Sequence, residues 1–175
     1  MPPAEGQYFR REDYAPLWLR LLIDSVDFVT VAAISAGVAA VLWGTVSRDV
    51  LLLLCLAVWY CYFVLLKACR LGTLGYRIGR VRAVGFDGNG ASLAALTLRF
   101  VFIALGPLNY VFDMLWLSTD THRQALRDKF AHTYVVRKRA APIGAGKLIY
   151  RYYHIFGYNF LFREIEPASL SAKQG

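Results

Sequence analysis

Two long apolar stretches open the chain, each followed by a polar break. The first runs from Leu17 to Trp43, roughly 27 residues, and carries no charge from Phe28 onward. At 1.5 Å per residue that is enough helix to cross about 30 Å of hydrocarbon. The second, Val50 to Leu66, is 17 residues without a charge and ends at Lys67, at the short end of the spanning range. The link from Gly44 to Asp49 is brief, so the two helices are expected to be antiparallel neighbours. A third apolar stretch, Leu93 to Leu117, is interrupted by Arg99 and by Gly106-Pro107-Leu108-Asn109. Pro107 lacks a backbone donor and disfavours continuous helix. This stretch reads either as one kinked span or as two short helices.

The flanks of the third stretch decide between these. Lys67, Arg70, Arg77, Arg80 and Arg82 precede it, and Arg123, Arg127, Lys129, Arg137, Lys138 and Arg139 follow it. The tendency of basic segments to stay cytoplasmic puts both flanks, and the N-terminus, on one side. A single span would separate them. Arg80–Phe86 and Thr133–Val136 also read as short strands, the first followed by an Asp-Gly-Asn-Gly turn, and isolated strands need pairing partners. The expected fold class is therefore an all-α membrane protein. It has two transmembrane helices, a Pro-broken helical hairpin over Leu93–Leu117, and a small cytoplasmic β-hairpin-like element. Its halves would reach only roughly 18–21 Å, so the hairpin would be re-entrant and covered by protein or water at its bend.

Composition agrees. Hydrophobic residues make up 57% of the 175, and the net charge is +8. That apolarity excludes a disordered chain and argues against a soluble nucleic-acid binder. The N-terminus lacks the pattern of a cleaved signal.

Charges inside a spanning helix mark a candidate site. Arg20, Asp24 and Asp27 lie at i, i+4 and i+7, within about a 60° arc of one helix face, and Arg20 and Asp24 could pair directly. The hairpin contributes Arg99, then Asn109 and Asp113 on one face of its second half. An inward set of Arg20, Asp24, Asp27, Arg99 and Asp113 would hold two cations and three anions, leaving one carboxylate to protonate or to hold a cation. The opposing reading is a satisfied polar lock between helices.

Three blocks containing these residues, in order, resemble the RDD family of small integral membrane proteins. "YAPLWLRLLIDSVDFV" is similar to the family's opening helix, mapping its arginine to Arg20 and its first aspartate to Asp27, with Asp24 as an extra. "TLGYRIGRVRAVGFDGNGASLAALTLRF" resembles the middle block and points to Thr73, Gly75, Arg77, Gly79 and Arg99. "RQALRDKFAHTYVVR" resembles the closing block and maps an aspartate to Asp128 and a threonine to Thr133. Two positions depart from the pattern: the family's usual His is Arg127 here, and its usual Gly is His132. The resemblance implies either of two roles, an accessory subunit of a membrane complex or a cation/proton antiporter.

No zinc-type or catalytic spacing occurs around His122, His132 and His154 or the three cysteines. No enzymatic activity, metal or cofactor is expected, and no nucleic-acid partner. Arg77, Arg80 and Arg82 are expected to face anionic headgroups. From Leu148 to Phe162 aromatic and basic residues recur at helical spacing, which predicts an interfacial helix. Its Tyr150, Arg151, Tyr152 and Phe156 would contact lipid, a membrane-protein partner or a second copy. The chain thus divides into a cytoplasmic segment (1–16), a membrane domain (17–139) and an aromatic interfacial tail (140–175). The setting expected is a bacterial plasma (inner) membrane with both termini cytoplasmic. The accessory or scaffold role is preferred, because one copy offers few helices to build two gates.

Overall fold

The computed structural model describes residues 5–69, 71–120, 123–155 and 158–167. Arg70, His122 and Phe156 lie outside the described residues. Helix α1 (Leu17–Leu42) starts directly after Pro16, and Gly44, with φ +78°, turns the chain back. The Ser47 hydroxyl then accepts from the Val50 amide and caps α2 (Arg48–Tyr60). A π-helical turn (Cys61–Leu65) and a short α3 (Leu66–Ala68) continue α2, so the second span runs Arg48–Ala68. Only 11% of the most apolar window of α1 and 17% of that in the second span are buried inside the protein. Val29, Val41, Leu52 and Leu53 stand exposed. Apolar surface on this scale needs hydrocarbon around it, and both helices are long and apolar enough to cross a membrane.

The third apolar stretch folds back. Helix α5 (Leu93–Ala104) is capped by the Ser92 hydroxyl, which accepts from the Ala95 amide at 3.2 Å. Gly106 sits at φ +133°, backbone that a side chain would strain, and Pro107 opens α6 (Pro107–Thr119). The two helices meet at a bend of 115°. Each is roughly 18–20 Å long, too short to cross alone. Before α5 lie a short helix α4 (Leu74–Gly79) and strand β2 (Val81–Gly85), and after α6 lie α7 (Leu126–Phe130) and strand β3 (Thr133–Arg137). Strands β2 and β3 pair antiparallel from Val81↔Arg137 to Gly85↔Thr133. The stretch between them therefore leaves and re-enters on one side of the fold.

The tail corrects the expectation of a helix, and with it that of an all-α chain. Strand β4 (Gly144–Ile155) pairs antiparallel with β5 (Tyr158–Pro167) from Gly146↔Pro167 to Ile155↔Tyr158. Strand β1 (Glu5–Tyr8) adds to β4 through Glu5↔Lys147 to Tyr8↔Gly144, giving a three-stranded sheet ordered β1-β4-β5. Tyrosine, phenylalanine and isoleucine favour a pleated, half-buried surface, and the aromatic spacing did not reveal which partner strands were on offer. Between this sheet and β2-β3 lies a core containing Phe9, Tyr14, Phe86, Tyr134, Val136 and Ile165.

The pairing of β2 with β3 makes a labelling prediction. In cells with the native cysteines removed, Gly90→Cys and Arg139→Cys share one accessibility to an impermeant thiol reagent. Thr45→Cys, on the link between the spans, shows the opposite one. Opposite labelling of positions 90 and 139 would mean the stretch crosses.

A buried ion cluster as candidate functional site

Six charged side chains from four helices meet at the end of the spans nearest the sheets. Arg20 and Asp24 come from α1, Arg99 from α5, Asp113 from α6, and Arg127 and Asp128 from α7. All six are buried. The Asp128 carboxylate lies between two guanidiniums: Arg20 Nη2 donates to its Oδ2 at 2.6 Å, and Arg99 Nη1 pairs with its Oδ1. Asp128 also accepts from the Ala125 amide at 3.3 Å, which fixes the first turn of α7. Arg99 continues outward, donating to Thr133 Oγ1 at 2.7 Å and to the Tyr76 hydroxyl at 3.2 Å. It thereby ties the bent α5–α6 pair to β3 and α4.

Arg127 joins the other two carboxylates. Its Nη2 donates to Asp24 Oδ2 at 2.6 Å, and its Nε lies 3.1 Å from Asp113 Oδ2. Its backbone amide donates to Asp113 Oδ1 at 2.7 Å. The set thus holds Arg20, Arg99 and Arg127 against Asp24, Asp113 and Asp128 and sums to zero. Burial alone would push the Asp128 carboxyl up, but Arg20, Arg99 and Arg127 outweigh it and hold it below the usual carboxylate range.

Asp27 stands in a separate node one turn deeper. Its carboxylate accepts from Tyr62 OH at 2.9 Å, Thr73 Oγ1 at 2.7 Å and the Gly75 amide at 2.7 Å, and Lys67 Nζ lies 3.7 Å away. Tyr62 belongs to the π-helical turn of the second span. Gly75 is required for this approach: a Cβ there would meet the Ile23 carbonyl at 2.3 Å and Asp27 Oδ1 at 2.8 Å. Lys67 Nζ also sits 4.5 Å over the Tyr76 ring and 5.0 Å over Phe63, which spreads its charge over two aromatic faces.

A third buried set fastens the tail to the body. Lys129 Nζ lies 2.6 Å from Asp120 and donates to Glu164 Oε1 at 2.5 Å, where the Tyr153 hydroxyl also donates. Burial would raise the Glu164 carboxyl, yet the Lys129 and Tyr153 bonds bring it below its ordinary value.

Several sequence expectations change. Arg20 pairs with Asp128 and not with its neighbour Asp24. Asp27 does not join Arg99 and Asp113. No carboxylate is left over, because Arg127 and Lys67, expected on the aqueous basic face, turn inward. Lys129, expected there too, is fully enclosed. Asn109 stays at the bend, where its Nδ2 donates to the Phe102 carbonyl at 3.4 Å. Arg77 and Arg80 are exposed, whereas Arg82 is half-buried and donates to the Ala140 carbonyl at 3.1 Å. In the tail, Tyr150 and Tyr152 are exposed, Arg163 lies over the Tyr150 ring, and Arg151 reaches Glu164 at 3.5 Å.

The sequence profile of the RDD family matches residues 14–132, over half of the chain. The chain belongs to the RDD family. No curated protein and no solved structure matches it. Both positions at which it departs from the family resemblance can now be placed. Arg127, at the usual His, bonds directly to the extra carboxylate Asp24 at 2.6 Å and balances its charge. His132, at the usual Gly, sits at φ 52°, the left-handed backbone that glycine accepts most easily.

Asp128→Asn leaves two buried guanidiniums facing each other without their anion, so unfolding in detergent should become easier by about 3–5 kcal/mol. An unchanged thermal unfolding temperature would contradict the pairing. Because the folded Asp128 and Glu164 carboxyls lie below their unfolded values of 3.8 and 4.5, their stabilisation is complete above those values. It is lost as pH falls through the folded ones. Unfolding temperature should therefore drop as pH is lowered from 5 to 3, and less steeply in Glu164→Gln.

Proposed function

We propose that this RDD-family protein is a non-catalytic membrane scaffold, an accessory subunit that holds a fixed shape in the bilayer for a membrane-protein partner or a second copy. The observation that carries this reading is the closed charge balance of the cluster. Three arginines face three aspartates, each carboxylate in contact with a guanidinium. A carrier of protons or cations needs an ionisable group that changes partner during the cycle. Here Arg127, which keeps its proton throughout the physiological range, occupies the position of the family's titratable His and is bound on both sides by Asp24 and Asp113. The re-entrant hairpin is engaged by the same lock through Arg99 and Asp113, which favours a rigid body over an alternating gate.

The docking face in this reading is the outer surface of the β4–β5 hairpin, where Tyr150, Tyr152 and Leu161 are exposed at 62%, 75% and 49%. Exposed tyrosines supply large contact area at small entropic cost. The setting is a bacterial plasma membrane, with the basic flanks and both termini on the cytoplasmic side.

Mild detergent extraction from native membranes tests the proposal. The 19.7 kDa chain should elute in a much larger assembly, and Tyr150→Ala/Tyr152→Ala should release it while leaving its own unfolding temperature unchanged. In sealed liposomes the purified protein should not collapse a pH gradient when Na⁺ or K⁺ is added. Cation-dependent collapse that Asp27→Asn abolishes would replace the scaffold with an exchanger.

A further inference from the structure

The buried charges of this protein are matched, but one region of its surface is not. Arg77 near the end of α4, Arg80 just after it, and Arg137, Lys138 and Arg139 at the end of β3 line one cavity of about 510 Å³. Among the described residues none of the five forms an ion pair, and all five are exposed. The backbone holds them together. Arg80 adopts left-handed backbone at φ 49°, its amide donates to the Arg77 carbonyl, and its carbonyl accepts from the Lys138 amide at 2.7 Å. The Val81↔Arg137 pairing closes the same corner. Five like charges gathered on a rigid strand end and helix end repel one another, and a multivalent anion removes that repulsion.

The surroundings identify which anion. Arg77 and Lys138 also line an adjoining cavity of about 440 Å³, whose wall includes Leu71 and reaches Lys67 at the end of the second span. Leu71, just before α4, and Leu74 and Ile78, at i and i+4 on it, are exposed at 68%, 42% and 55%, apolar side chains on the same short segment as Arg77. A basic pocket bordered by exposed apolar residues at the end of a membrane span has the two halves of a phospholipid site, one for phosphate and one for acyl chain.

We infer that this corner is a specific binding site for an anionic phospholipid, with its phosphate among Arg77, Arg80, Arg137, Lys138 and Arg139 and its acyl chain along Leu71, Leu74 and Ile78. The site lies apart from the ion cluster and does not depend on the scaffold role. A headgroup carrying two phosphates fits five cations better than one carrying a single phosphate.

Native mass spectrometry of the full chain in uncharged detergent tests this, with diphosphatidylglycerol, phosphatidylglycerol and phosphatidylcholine as probes. Wild type should retain diphosphatidylglycerol at least tenfold over phosphatidylcholine. Arg77→Gln/Arg137→Gln/Arg139→Gln should weaken retention roughly fivefold for each charge removed, on the order of a hundredfold in all. The single variant Arg139→Gln, with unchanged unfolding temperature, should show about one such step. Arg11→Gln/Arg48→Gln/Lys147→Gln removes the same net charge elsewhere and should retain lipid as wild type does. Equal loss in that control, or no loss in the cavity variants, overturns a defined site. Inorganic pyrophosphate that binds the lipid-free protein as tightly as the lipid does overturns the lipid assignment in favour of a soluble phosphate.

Discussion

The architecture depends on the Asp128 carboxylate being shared by Arg20 and Arg99. A lone buried charge costs several kcal/mol in lost hydration, so each of these groups is tolerable only while the others are in place. Their carriers are far apart in sequence: Arg20 on the first span, Arg99 on α5, Asp128 on α7. The contact can therefore form only when three elements arrive together. Arg127 extends the same condition to Asp24 and to Asp113 on α6. The electrostatic requirement for a neutral, closed set thus serves as an assembly rule for four helices. Most of the apolar surface on the two spans faces outward and does little to choose among packings.

The second constraint is local crowding around Asp27. A carboxylate this far along a spanning helix needs donors, and three of them come from groups that ordinary helix packing would not bring so near. The π-helical turn at Cys61–Leu65 re-aims Tyr62 by inserting one residue into the helical repeat. The cap of α4 supplies Thr73, and a residue without a side chain, Gly75, lets the backbone amide reach the carboxylate. Lys67 closes the node from the end of the second span. This node joins the two spans to α4, the short helix that leads into β2.

Elements carrying their own pattern were readable from the sequence. Hydropathy located both spans, Gly106-Pro107 located the bend, and the strand signals at Arg80–Phe86 and Thr133–Val136 required both flanks of the hairpin to lie together. What escaped was non-local. Local spacing offered Asp24 as the partner of Arg20, yet the partner lies 108 positions away. Arg127 and Lys129 looked like part of an aqueous basic run, because adjacency to other cations says nothing about a carboxylate arriving from α1, α6 or β5. In the tail, Tyr152, Tyr153, Phe156 and Phe160 satisfy a helical period, but the backbone found partners in β5 and in β1 at the opposite end of the chain. The resemblance to the RDD family supplied Asp128 and Gly75 as positions of interest, and the geometry supplied their reasons.

The pairing of Asp24 with Arg127 bears on how fixed this lock is. A histidine at position 127 would gain or lose charge near neutral pH, and the balance of the cluster would change with it. Arginine cannot release its proton in that range, so the position is committed to a positive charge. A permanent cation in a buried site needs acceptors around it, and Asp113 is already bound to the Arg127 backbone amide as well as lying near its side chain. Asp24, one helical turn beyond Arg20, provides the second anion. Each of these two residues would be costly without the other, because either one left alone is an unpaired charge in a buried site. The junction between the first span, α6 and α7 is thus joined by a matched pair whose two members lie at positions 103 apart in the chain.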